Sequence, residues 1–152
     1  MTTKIKRFLI ATAILMNTQA TFSAEEKVEQ LGLFTNVGSA CPFTIDQVYN
    51  AVEGEFVRAR VKPSDNLLFN LNISVSCIAI TNQAGNKTGY AVSYDIRYGT
   101  KMEGETNVLI ETPQYGSMLV GGDGAGSSLF FINAIKNSTS SALTDFLKMT
   151  ME

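Results

Sequence analysis

The sequence predicts an α+β two-layer sandwich: an antiparallel sheet of three or four strands with an N-terminal and a C-terminal helix, in the order α-β-β-β-α. Three observations carry this. Residues 68–80 and 90–98 alternate in side-chain character with period two, residues 43–59 hold an apolar stripe at helical spacing, and from Ser128 onward apolar residues recur every three or four positions.

The first helix announces its own start. In "FTIDQV" (43–48), Thr44 and Gln47 have capping-box spacing, and Phe43 and Val48 flank the cap as a hydrophobic staple. Ile45, Val48, Tyr49, Val52, Phe56 and Ala59 fall within an arc of about 100°. Asp46 in the first turn and Arg58, Arg60 and Lys62 near the end suit the helix dipole, and Pro63 stops the helix. Val57, Ala59 and Val61 also alternate with the basic residues. Residues 55–62 therefore read either as helix or as a charged edge strand, and the stripe favours the helix.

The first strand is the most regular segment. Phe69, Leu71, Ile73, Val75, Cys77 and Ala79 share one face; Leu68, Asn70, Asn72, Ser74, Ser76, Ile78 and Ile80 share the other. A polar connection, "TNQAGNKTG" (81–89), leads into "YAVSYDIRY" (90–98). There Tyr90, Val92, Tyr94, Ile96 and Tyr98 face inward, and Ala91, Ser93, Asp95 and Arg97 face outward. The two runs read as an antiparallel hairpin. "NVLIET" (107–112) is a third strand closed by Pro113, and 115–128 a glycine-rich loop with a brief strand at "SMLV". In the last helix Leu129, Ile132, Ile135, Thr139, Ala142, Phe146 and Met149 form the stripe. "NSTSS" (137–141) is a poor helix interior, which suggests a kink or two helices.

Residues 1–24 read as a secretory signal. Lys4, Lys6 and Arg7 precede the nine-residue apolar run "FLIATAILM", and small and polar residues lead to Ala24. Cleavage falls after Ala24 or Ala20. The run is about half of what a membrane-spanning helix requires, so no stable membrane insertion is expected after cleavage. "VGSAC" (37–41) lacks the apolar run that a lipid-attachment site needs directly upstream. Residues 25–152 then form one small α+β domain, exported to a periplasm or secreted. The whole chain carries 12 basic and 14 acidic residues, and without the three basic residues of the leader the balance is −5. That charge argues against nucleic acid as a partner.

Cys41 and Cys77 are the only cysteines and there is no histidine. An even count in an exported chain predicts a disulfide. The spacing matches neither a zinc site nor a C-x-x-C redox pair. Cys77 lies on the inward face, so the bridge is expected to pin the start of the first helix onto the core side of the sheet. Without histidine, Ser–His–Asp and Cys–His chemistry is absent. The carboxylate pairs Glu53/Glu55 and Glu103/Glu105 read as solvated surface charge rather than a glycosidase pair. "GGDGAGSS" lacks the P-loop lysine and the dinucleotide glycine spacing. No cofactor and no metal are expected.

The functional expectation is a non-enzymatic protein-interaction domain that binds another envelope or secreted protein, of the inhibitor, immunity or assembly-accessory type. Its contact surface would be the polar outer sheet face: Asn70, Asn72, Ser74, Ser93, Asp95 and Arg97. The alternative is a small-molecule binder with a cleft lined by Tyr90, Tyr94 and Tyr98 between the sheet and the last helix.

Overall fold

A computed structural model describes residues 29–101 and 107–151. The segment read as a secretory signal and the pair Glu103/Glu105 lie outside those residues. The elements run β1 (Gln30–Val37), α1 (Ile45–Arg58), β2 (Lys62–Ser64), β3 (Asn70–Thr81), β4 (Lys87–Lys101), β5 (Asn107–Gln114), β6 (Ser117–Gly122) and α2 (Ser127–Met151).

The α+β class holds, but the sheet is larger and wired differently from the expected antiparallel three or four strands. Among the described residues it has six strands in the order β2-β1-β3-β4-β5, with β6 also paired to β4. It is mixed, because β1 runs parallel to both β2 and β3. β1 is absent from the predicted order. It pairs with β3 across the intervening α1, and such a parallel pairing leaves no hairpin signal in the sequence. Its inward set is nonetheless alternating: Leu33, Thr35 and Val37 sit opposite Leu71, Ile73 and Val75. Gly32, which faces the other way opposite Asn70, is a glycine for a local reason. A β-carbon there would lie 2.0 Å from the Asn66 carbonyl oxygen and 2.6 Å from Asn70 Cβ.

α1 begins as its sequence predicts. Gln47 N–H donates to Thr44 Oγ1 (3.3 Å), and Thr44 N–H donates to Gln47 Oε1 (2.9 Å). Its buried face is Val48, Val52, Glu55 and Phe56. Ile45 and Tyr49, expected on that face, lie on its exposed flank. Residues 55–62 divide between the two readings: the helix runs to Arg58, Arg60 turns the chain at φ 58°, and β2 starts at Lys62. Pro63 is accommodated because β2 is an edge strand.

β3 and β4 form the long antiparallel hairpin, in register from Asn70↔Gly99 to Ile80↔Gly89. Asn82 Oδ1 closes its turn by accepting the N–H groups of Ala84 and Asn86, both at 3.0 Å. The other edge of β4 takes β5 and then β6. The brief strand expected at "SMLV" is present as β6 and runs two residues further, to Gly122. Gly121 faces inward, and a β-carbon there would lie 2.7 Å from the Phe131 ring; the missing side chain makes room for the head of α2.

α2 is one helix of 25 residues, without the expected break. The hydroxyls of Thr139, Ser141 and Thr144 donate to the carbonyls four residues earlier, which satisfies them inside the helix. Phe131 and Leu143 join its buried face, while Leu129 and Met149 are exposed. The inward side chains of β1, β3 and β4 form one core with those of α1 and α2.

Candidate functional site

The disulfide is present. Cys41 and Cys77 are joined with their Cα atoms 4.9 Å apart, tying the segment before α1 to β3. Ser128 Oγ donates to the Pro42 carbonyl at 2.8 Å, so the head of α2 is fastened to the same corner.

The outer face of the sheet is the side away from this core, and β3 and β4 supply its centre. Cross-strand partners there are Asn72↔Arg97, Ser74↔Asp95 and Ser76↔Ser93. Five of the six residues expected on this surface reach it. Asn70 does not: it is fully buried, donates Nδ2–H to the Leu67 carbonyl (2.8 Å) and accepts from Asn72 Nδ2. It braces the 65–69 turn because β1 and that turn close over the start of β3. Arg97 Nε lies 2.7 Å from Asp95 Oδ2 as an ion pair, and Gln114 Nε2 donates to Asp95 Oδ1 at 2.7 Å. Asp95 and Arg97 are therefore already engaged, leaving Ser74, Ser76 and Ser93 as the open polar positions.

Composition alone does not reveal the apolar end of the same face. The cross-strand rows Ile78–Ala91–Val120 and Ser76–Ser93–Met118 leave Ile78 at 72%, Met118 at 70% and Val120 at 66% exposure. The alternation in "SMLV" holds the signal for β6, but its outward residues can be assigned to this face only once its partner strand is known.

The three tyrosines do not line a cleft. Tyr90 accepts from Lys87 Nζ (2.8 Å) at the exposed rim. Tyr94 shares a hydrogen bond with Ser138 Oγ (3.0 Å), and Tyr98 donates to the Ala142 carbonyl. α2 fills the space that the cleft would need, so these hydroxyls dock the helix. Burial pushes Tyr98 up to about 12. Beside it, Tyr115 donates to Asp145 Oδ2 (2.7 Å), and Lys148 Nζ lies 2.9 Å from Asp145 Oδ1. Burial, then the hydrogen bond to Asp145, raises Tyr115 far above the usual phenol range. Lys148 first and Tyr115 second hold Asp145 below the usual carboxylate range.

A groove of about 650 Å³ lies elsewhere, at the β2 edge, between Val57, Ala59, Val61, Pro63, Leu147 and Met151. Glu55 is not the solvated charge expected: it is 3% exposed, and Arg58 Nη2 makes a charge contact with Oε1 at 3.0 Å. No group of three or more metal-ligating side chains occurs among the described residues. No helix among them is long and apolar enough to cross a membrane.

No protein-family model matches the chain, and no curated protein matches it. Solved structures with a related backbone course include the dodecamer of a PelC point variant from Paraburkholderia phytofirmans, at TM-score 0.47 and 12% identity over 74% of this chain and 84% of that one. The rare lipoprotein B from Shewanella oneidensis gives 0.37 and 16%, over 81% and 94%. A minor lipoprotein from Acinetobacter baumannii gives 0.44 and 7%, over 78% and 92%. Two of the three are named as lipoproteins. At these scores and identities the likenesses carry no weight for function.

Proposed function

We propose that the chain is an exported, non-enzymatic protein-interaction domain that meets another envelope or secreted protein through the outer face of its sheet. One observation carries the reading. Both helices pack on the inner face, and among the described residues no helix covers the row Ser74, Ser76 and Ser93. These short polar side chains lose little rotamer freedom when a partner docks. The N-terminal export pattern and the absence of histidine support it. The bonding of both cysteines also supports it, since it leaves no thiol nucleophile.

The test is native mass spectrometry of the mature chain isolated gently from its own compartment, beside a Ser74→Arg/Ser76→Arg variant. The wild type is expected to carry an added mass of several kilodaltons that the variant loses. Both substitutions lie at exposed positions, so stability should change by less than about 1 kcal/mol. A folded variant that keeps the partner would remove this face from consideration.

A further inference from the structure

The two edges of the sheet are defended unequally. β2 is three residues long and holds Lys62 and Pro63, the usual devices against strand addition. On the opposite edge, β5 contains Glu111 and Pro113 and its register with β4 slips between Arg97 and Gly99. β6 has none of these. Its six residues, "SMLVGG", carry no charge and no proline, and they pair with β4 from Gly89↔Gly122 to Tyr94↔Ser117 without a bulge.

The ladder fixes which main-chain groups of β6 point away from β4. Tyr115 N–H donates to the Ile96 carbonyl at 3.0 Å, and the same register continues from Arg97↔Gln114 through β6. Antiparallel pairs alternate between hydrogen-bonded and open. Ser117, Leu119 and Gly121 therefore bond to β4, whereas Met118, Val120 and Gly122 turn N–H and C=O outward. Exposed apolar side chains flank that edge on both sides. Met118, Val120 and Ile78 stand on the outer face, and Leu129 (63% exposed) and Phe130 (51%) sit at the head of α2 on the inner side.

We infer that β6 is the interface of a two-fold dimer of this chain, in which β6 pairs antiparallel with β6 of a second copy about an axis at Leu119. In that register Met118 of each copy faces Val120 of the other, and the outward groups form four main-chain hydrogen bonds. The Met118, Val120 and Ile78 side chains of both copies merge into one apolar strip. The two Leu119 side chains meet on the inner side. An uncharged strand places no like charges opposite each other under this symmetry. The nearest acidic residue in sequence, Asp123, falls at opposite ends of the pair, about 27 Å from its symmetry mate at the usual strand rise. A two-fold interface needs only one self-complementary patch, and this strand supplies it, which is why a second copy is the occupant. The inference uses a different surface from the partner face above and does not depend on it.

Sedimentation equilibrium on the disulfide-bonded mature chain tests it. The wild type is expected to be a dimer at about 100 μM, a modest demand on affinity. Val120→Lys places two ammonium groups in the strip and should weaken dimerisation by tenfold or more (roughly a hot-spot loss), with a melting midpoint that matches the wild type only at dilutions where both are monomers, because Val120 is exposed in the monomer. Single cysteines report the register: Leu119→Cys should cross-link two copies under mild oxidation, and Ser117→Cys should not. A wild-type monomer at that concentration overturns the inference, including one that gains mass only from a different protein. A Val120→Lys dimer of undiminished affinity, or cross-linking at 117 in place of 119, does the same. Val120→Lys leaves Ser74 and Ser76 untouched, so failure here is distinguishable from failure of the partner-binding reading.

Discussion

Tyr98 and Tyr115 show what individual side chains do between the layers. Tyr98 is buried and Tyr115 half-buried against the core, and each spends its hydroxyl on α2, one on a backbone carbonyl and one on Asp145. Alternation in "YAVSYDIRY" is enough to turn Tyr94 and Tyr98 inward, but a hydroxyl that binds a ligand and one that docks a helix look identical in sequence. The raised pKa of Tyr98 has a definite sign. Folding favours the neutral phenol, so the stabilisation is complete below the ordinary value of 10 and is lost as pH rises through about 12. Tyr98 and Tyr115 should ionise above the ordinary phenol range, together with alkaline unfolding, in a tyrosinate absorbance titration. Tyr98→Phe should remove one of the two late ionisations and cost about 1 kcal/mol for the lost hydrogen bond. Ionisation of Tyr98 and Tyr115 near pH 10 in the folded protein would contradict this assignment.

At the level of elements, the helix starts are set locally and the strand partners are not. The Thr44–Gln47 box is a short-range device, legible in four residues and present in the structure. Thr44→Ala should cost about 1 kcal/mol, read as a lower urea midpoint at unchanged slope; no shift would mean that Cys41 and Phe43 hold the start of α1 without it. α2 makes the opposite case. Its serine- and threonine-rich middle has weak propensity, yet Thr139 is fully buried and Phe131, Ile135, Ala142 and Phe146 anchor the helix on both sides of it. Packing outweighs propensity here, as it does for most helices. β1, and the partner of β6, are poorly legible in the sequence for a related reason: each strand is stabilised by one distant in the chain, and neither carries a hairpin turn of its own.

For the whole molecule, the disulfide is the covalent tie between the segment before α1 and the middle of the sheet. Its 36-residue separation spans all of α1 and β2. Removing it as Cys41→Ser/Cys77→Ser should cost roughly 3–4 kcal/mol by the chain-entropy account. For a domain of this size that is a melting midpoint lower by roughly 10 °C. Because α1, α2 and three strands share one core, the variant is expected to melt cooperatively from a folded state; a variant unfolded at 25 °C would show that the core alone is insufficient.

Several features of this protein were determined by sequence alone: the pairing of its two cysteines, the capped start of α1 and the inward faces of β3 and β4. Each depends on residue type at short range or on a count of two. Only the tertiary structure decided that the sheet, among the described residues, has six strands of mixed direction with β6 an undefended edge, that Asn70 is buried, and that α2 fills the space the tyrosine cleft would need. Those outcomes depend on contacts between segments far apart in the chain. Period-two alternation says which way a side chain points from its strand. It does not say which strand lies beside it or whether anything lies beyond.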